Sequence, residues 1–498
     1  MAYYYTTLLA ILPFVLPLLI AWGAVALTRY YKLQSAIRAH GCKPARFLPQ
    51  WDPIWGLDAA VQMFRSYGLG NRSAIFKEQH ATYGPTFLSI ALGKIRIFTI
   101  DPSIFNTDFQ SWGVQPLRLA TWSPLLGPGV MDTDGAHWKF SRDLVQPLFR
   151  REQISDLSQF AVYVDRMIGN IPLDNSTIDM QPLFARLILD FTMDFLFGVS
   201  SETLTSTPDQ DAMDFLHAFH YTQGAIGKRT QLPYLTVFTT ERFKDSCVMA
   251  GSFVDKYIER ARERLSQPKD DGNQRYILAD ELLRKNISSN ELRSQLLNVF
   301  LAAHDTTAVL LTNTIFNLAR HPQIYQKLRA QILEAKDVPT QFYKLKRFKY
   351  LQDVVTETSR LTPVVGQSAR IALKDTTIPR GGGKSGDAPI YVQKGTSVQF
   401  NYFALHRRTE VYGKDPETFR PSRWDNLKIG TWDFLPFSGG PRVCPANQMA
   451  FMQVCYTIAR IAQNFSTLDN RDPVFEFIEQ YRITTDSKNG CKVALKAI

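Results

Sequence analysis

The sequence predicts a mainly α-helical fold with a small β-rich lobe, preceded by an N-terminal transmembrane helix. Three observations predict it. A helical pattern runs over residues 289–320, opened by Ser288 as N-cap with Glu291 three residues on, and stopped at His321-Pro322. Further helical segments lie at residues 240–265, at 351–361 and directly after Cys444. Strand-like patterns are confined to residues 86–100, which read as a hairpin turning at Gly93-Lys94, and to residues 375–403.

The long helix, at about 1.5 Å per residue, is enough to cross a whole domain. With 498 residues, 45% of them hydrophobic, and 33 Phe, the chain can bury a large core and is not disordered. Length alone suggests about three domains, yet a single fold of this size is compatible with it. The formal charge of +11 suits nucleic acid, an anionic membrane surface or an acidic protein. Because the basic residues form no block, a nucleic-acid-binding tail is excluded. The cysteines, Cys42, Cys247, Cys444, Cys455 and Cys491, are odd in number and scattered, so they are not a disulfide framework.

From Met1 to Leu27 no residue is charged, and residues 8–27 are apolar apart from Pro13, Pro17 and Gly23. About 20 helical residues span a bilayer core. Ala24-Val25-Ala26 resembles a signal-peptidase site, the rival reading. However, the segment before the apolar run lacks Lys and Arg, whereas Arg29, Lys32, Arg38 and Lys43 follow it. That asymmetry predicts a retained single-pass anchor over residues 1–28, with its N-terminus in the lumen and the rest cytosolic. Residues 29–53 are then a Pro-containing linker and 54–498 the globular domain. On the cytosolic side, the sequons at Asn71, Asn175, Asn286 and Asn464 are chance matches.

The centre of the long helix, LAAHDTTAVLL, places Ala302 and Ala303 just before Asp305, Thr306 and Thr307. A buried carboxylate is costly without partners, and mid-helix threonines bend helices by bonding back to the preceding turn. Room beside a proton path is one reading; a core helix whose polar groups satisfy one another is the other. His304 has no partner that sequence reveals and reads as a cavity or helix-face residue rather than a ligand. Glu357 and Arg360 stand at i,i+3 spacing beside apolar neighbours. The loop RGGGKSGD at residues 380–387 ends like a phosphate-binding loop, but Ile378 stands where the first glycine belongs and strand follows, so nucleotide binding is excluded.

In FLPFSGGPRVCPANQMAF a Gly-Pro turn ends at Cys444 and a helix follows. A thiolate near a helix N-terminus has a lowered pKa and favours metal ligation, and Arg442 can meet a carboxylate on the same ligand. A lone cysteine cannot build a zinc site, since Cys455 lies about three helical turns on. An isolated Cys can also be a small buried hydrophobe. A single axial thiolate is what haem iron uses to split the O–O bond.

With these residues the chain resembles the cytochrome P-450 family, whose haem loop Phe-x-x-Gly-x-Arg-x-Cys-x-Gly is matched by Phe437, Gly440, Arg442 and Cys444. Ala446 replaces the last glycine and Pro445 follows the ligand. Asp305-Thr306 is similar to the family's oxygen-activation pair, and Glu357-x-x-Arg360 with Arg423 to its buried triad. Trp138-x-x-x-Arg142 and Arg370 are similar to its haem-propionate residues.

The resemblance implies haem b as cofactor, Cys444 as the iron ligand, and Phe437, Trp138, Arg142, Arg370 and Arg442 as further haem-binding residues. It implies Asp305 and Thr306 as the proton-delivering pair. The reaction would put one atom of O2 into an apolar substrate and the other into water, with electrons from an NADPH-dependent reductase at the endoplasmic reticulum membrane. Lys139, Arg142, Arg150 and Arg151 would serve docking of that acidic reductase, or else form a solvated basic surface.

Along nearly the whole chain the resemblance is to the fungal alkane and fatty-acid hydroxylase branch, carried by GCKPARFLPQWDPIWGLD, IPRGGGKSGDAPIYVQKGTSV and FNYFALHRRTEVYGKDPETFRPSRW. AAHDTT and Gly366 depart from it, leaving room for a secondary-metabolite substrate. An oxygen-independent rearranging or dehydrating enzyme is a rival, disfavoured by the intact acid-alcohol pair. A non-catalytic haem carrier or sensor is the other, and would have no need of that pair.

Overall fold

A computed structural model describes residues 24, 27, 28, 30–106, 108–150, 154–231, 239–267, 276–285, 287–335 and 337–498. The expected anchor over residues 1–28 falls almost entirely outside the described residues, as do Arg29, Arg151 and Asn286. The expected linker begins as helix: residues 30–39 are helical, and irregular chain starts only at Gly41, whose φ of 62° ends the helix.

The central helix is Ser289–Ala319, within a residue of the expected span, and the Ser288 hydroxyl accepts from the Glu291 backbone N–H as the capping pattern requires. It stops where Pro322 begins the next helix, Pro322–Glu334. Among the described residues it is the helix long and apolar enough to cross a bilayer, but 83% of its apolar window is buried, which marks a core helix. It packs on Met180–Phe197 and on Asn447–Asn464, the helix that follows Cys444. Leu311, Ile315, Val354, Val355, Val454 and Ile458 fill that junction. A second apolar cluster lies under the helices Gln210–Gln231 and Glu241–Ser266, where the Phe215 and Phe253 rings stack at 4.2 Å.

The β-rich lobe centres on a six-stranded sheet ordered Arg46–Phe47, Thr86–Ala91, Lys94–Thr99, Ser397–Asn401, Gln367–Ala372 and Trp112–Gly113. Its hairpin turns one residue earlier than expected. Ala91 pairs with Lys94, leaving Leu92 (φ 51°) and Gly93 (φ 71°) as a two-residue loop with positive φ at both central positions, the type I′ geometry that matches strand twist. A small C-terminal hairpin, Glu479–Tyr481 with Thr485–Ser487, brings its tip against the central helix.

Candidate active site

The Glu357–Arg360 pair is fully buried, with both side chains at 0% exposure. Glu357 accepts from Arg360 Nη2 at 2.8 Å and Nε at 2.9 Å, from Arg423 Nε at 3.3 Å, from the Arg420 backbone N–H at 3.0 Å and from Trp424 Nε1 at 3.0 Å. Arg360 also donates to the carbonyls of His406 and Pro416. The expected triad is therefore the staple that fixes the segment leading into the Cys444 loop.

In that loop the Cys444 N–H donates to the Phe437 carbonyl at 3.1 Å, closing a turn in which Gly440 has φ 69°. The helix after it starts at Asn447, with Ala446 as N-cap, so two residues separate the thiol from the helix. This changes the expected acidity. Burial pushes the Cys444 thiol above its ordinary value, and the Ala446 N–H and Arg142 only partly oppose that.

Arg142 donates to the Val443 carbonyl at 3.0 Å beside Cys444, so it supports the loop at the thiol. Arg442 donates to the Thr133 carbonyl and to Asp134 Oδ1, each at 2.7 Å, with its guanidinium 4.7 Å from the centre of the Trp138 ring. Arg370 bonds Ser368 Oγ at 3.0 Å and the Ala369 carbonyl at 2.9 Å. The structure adds Arg118, which donates to the Met131 carbonyl at 2.8 Å and lies over Trp122. Nothing in the run QPLRLATW singles this arginine out.

Burial and then the charges of Arg370 and Arg442 push Arg118 down to about 9. Burial pushes Arg442 down to about 10, with Arg370 and Arg142 adding to the effect and Asp134 opposing it. Buried guanidinium groups that repel one another call for anions. Arg442 Nε also lacks a partner. Two propionates would supply what this cluster lacks, so the residues fit a haem.

From Ser294 to Arg320 every residue of the central helix is buried except Ala302, Ala303 and Thr306. Those three share one face, so the helix is open only there. Loop residues 126–131 are laced to the preceding turn of that helix: Asn298 accepts from the Met131 N–H at 3.0 Å and donates to the Leu126 and Gly127 carbonyls. Gly127 needs its glycine, since φ is 64° and a Cβ would lie 2.0 Å from Ser294 Oγ.

Thr306 Oγ1 donates to the Ala302 carbonyl at 2.7 Å. Asp305 is turned away from it and accepts from the Thr484 hydroxyl at the hairpin tip. The expected acid and alcohol are thus neighbours on the helix with separate partners. Gly366, the departure noted in sequence, lies where a Cβ would approach Ser73 Oγ at 3.2 Å. Of the expected basic face, Lys139 is exposed and paired with Asp143, and Arg142 points inward.

A thiol in a Gly-turned loop, a long helix open on one face and a cluster of partly buried arginines together make the arrangement of a haem-thiolate protein. The family model "Cytochrome P450" matches residues 49–490, and the chain belongs to that family. It is 34% identical to cytochrome P450 monooxygenase fsdH of Fusarium heterosporum, over 98% of this chain and 89% of that protein. It is 33% identical to cytochrome P450 monooxygenase himC of Aspergillus japonicus, over 95% and 88%. To cytochrome P450 monooxygenase apdE of Emericella nidulans it is 34% identical, over 92% and 90%. The chain is accordingly an oxidoreductase of the monooxygenase type, and haem iron is its family's cofactor.

Proposed function

We propose that this protein is a membrane-anchored haem-thiolate monooxygenase that oxidises an apolar small molecule, either a secondary-metabolite intermediate or a fatty acid or alkane. Electrons would come from an NADPH-dependent flavoprotein reductase. The observation that carries this reading is the single open face of the central helix, Ala302, Ala303 and Thr306, with Asp305 beside it. Small side chains leave space for O2 and substrate, and the hydroxyl and carboxylate give protons a route.

Cys444 would hold the iron, Trp138, Arg118, Arg142, Arg370 and Arg442 the propionates, while Phe437 fixes the loop. When bound, the haem supplies oxygen activation, with the thiolate pushing electron density toward O–O cleavage. Arg142 would also position the Val443 carbonyl next to the ligand.

Thr306→Ala should leave haem content and substrate binding close to normal while diverting NADPH electrons to hydrogen peroxide. Asp305→Asn should slow turnover more than it uncouples it, since an amide keeps the shape but cannot act as an acid. Positioned acids are worth about 100-fold to 10,000-fold in rate. Measuring product, NADPH and peroxide together decides the matter. Unchanged product per NADPH in Thr306→Ala, with full haem and no extra peroxide, removes the hydroxyl from proton delivery and favours an oxygen-independent reaction.

Membrane attachment is supported by the uncharged residues 1–27 and by the exposed side chains that follow them, Trp51 (76%), Ile54 (71%) and Trp55 (62%). Aromatic rings of this kind settle at the headgroup level of a bilayer. Starting the chain at Tyr31 should abolish integral insertion, yet leave weak surface association that Trp51→Ser with Trp55→Ser removes. Carbonate extraction and vesicle flotation report the two steps. A secreted chain cut after Ala26 would rule the anchor out.

A further inference from the structure

Where the helices Gln210–Gln231 and Ser289–Ala319 meet the tip of the C-terminal hairpin, one candidate ligand atom from each of His220, His304 and Asp305 lies within 4.8 Å of the others. His304 is fully buried, and its Nε2 lies 3.0 Å from the Ala185 carbonyl. A carbonyl only accepts, so Nε2 carries the proton and Nδ1 keeps its lone pair. That Nδ1 has no hydrogen-bond partner. Asp305 is 3% exposed and accepts from the Thr484 hydroxyl. Among the described residues no Lys or Arg forms an ion pair with Asp305, because the neighbouring Arg482 is taken by Asp486 at 2.5 Å. A buried carboxylate and a bare imidazole nitrogen, left without a cation, are costly.

We propose that His220, His304 and Asp305 bind a divalent transition metal of the zinc class, with water completing its coordination. Two imidazoles and a carboxylate with an open position form an established zinc donor set, and nitrogen donors disfavour calcium and magnesium. The supports such sites use are already present: the other ring nitrogen of His304 bonds a backbone carbonyl, and a hydroxyl holds Asp305. Bonds of about 2.0–2.2 Å require ligand atoms closer than they now stand.

Charged and titratable groups pack around the site. Burial holds His220 well below its ordinary value, with Arg482, His304 and His217 adding to that effect. Burial lowers His304 as well, with Asp305 and the Ala185 carbonyl opposing it. Asp486, pushed up to about 7 by burial and by Asp305, is the other carboxylate nearby.

The functional consequence rests on the monooxygenase reading above: metal on Asp305 takes the carboxylate out of proton delivery, so Zn2+ inhibits turnover. The test is calorimetric titration of Zn2+ into full-length, EDTA-dialysed holoenzyme at about pH 7. Crystals soaked in Zn2+ and measured at the zinc absorption edge give the position. We expect one site per chain, an anomalous peak between the three ligands, and an affinity at least ~10-fold weaker in both His220→Leu and His304→Leu. Should the buried His304→Leu chain fail to fold, the half-buried His220→Leu decides alone. No binding to wild type, or binding unchanged in His220→Leu, overturns the site. Binding as expected with undiminished turnover upholds the metal site and instead removes Asp305 from proton delivery.

Discussion

Cys444→Ser should give a folded protein whose reduced, CO-treated form lacks the red-shifted Soret band of a thiolate-ligated haem and whose monooxygenase turnover falls below detection. The expectation follows from how little else the loop offers as a ligand. Cys455 and Cys491 are fully buried in the core, at 0% and 1% exposure, and burial pushes both thiols far up. Neither can replace Cys444 without unfolding its surroundings. Burial also raises Cys444 itself, opposed in part by the Ala446 N–H and Arg142. Retention of the thiolate band in Cys444→Ser would assign the ligand to another residue and end the central claim.

The second large effect is on folding. Glu357→Gln should leave Arg360 and Arg423 in the core without their counter-charge, at 0% and 5% residue exposure. Removing one partner of a buried pair costs about 3–5 kcal/mol. That is a large part of the roughly 5–15 kcal/mol by which a domain is stable. The variant should express poorly, with a lowered denaturation midpoint and a low haem-to-protein ratio. Arg360→Lys should behave similarly, because an ammonium cannot reproduce the fork that meets both Glu357 oxygens and the His406 and Pro416 carbonyls. A Glu357→Gln protein with a normal midpoint and full haem would show that the staple is dispensable.

Much of the architecture was legible in the residues because it rests on local rules. Ser288 and Glu291 mark one end of the central helix and Pro322 the other, and the structure keeps both. The hairpin at residues 86–99 was legible as a hairpin but not to the residue, since Gly93 can occupy either loop position and only the pairing of Ala91 with Lys94 selects one. The fit of the cations was partly hidden. Arg442, Trp138 and Arg142 were expected from spaced motifs and Arg370 from its place in the strand after Pro363, whereas Arg118 has no local signature and gains its place only because the loop 127–131 folds back beneath it.

By itself the sequence determined the helix-rich fold, the thiol loop at Cys444, the Glu357–Arg360 pair and the polar break in the long helix, since each follows from spacing along a few turns of chain. Only the tertiary structure decided where the long side chains turn. It sent Arg142 to the Val443 carbonyl and Asp305 to Thr484, 179 residues further on, and it left His304 Nδ1 without a hydrogen-bond partner and the His304 ring near that of His220. It also reversed the expected acidity of Cys444, because a helix start two residues away contributes less than the loss of water around a buried sulfur. Those outcomes depend on which distant segments share a desolvated space, and local spacing carries no information about that.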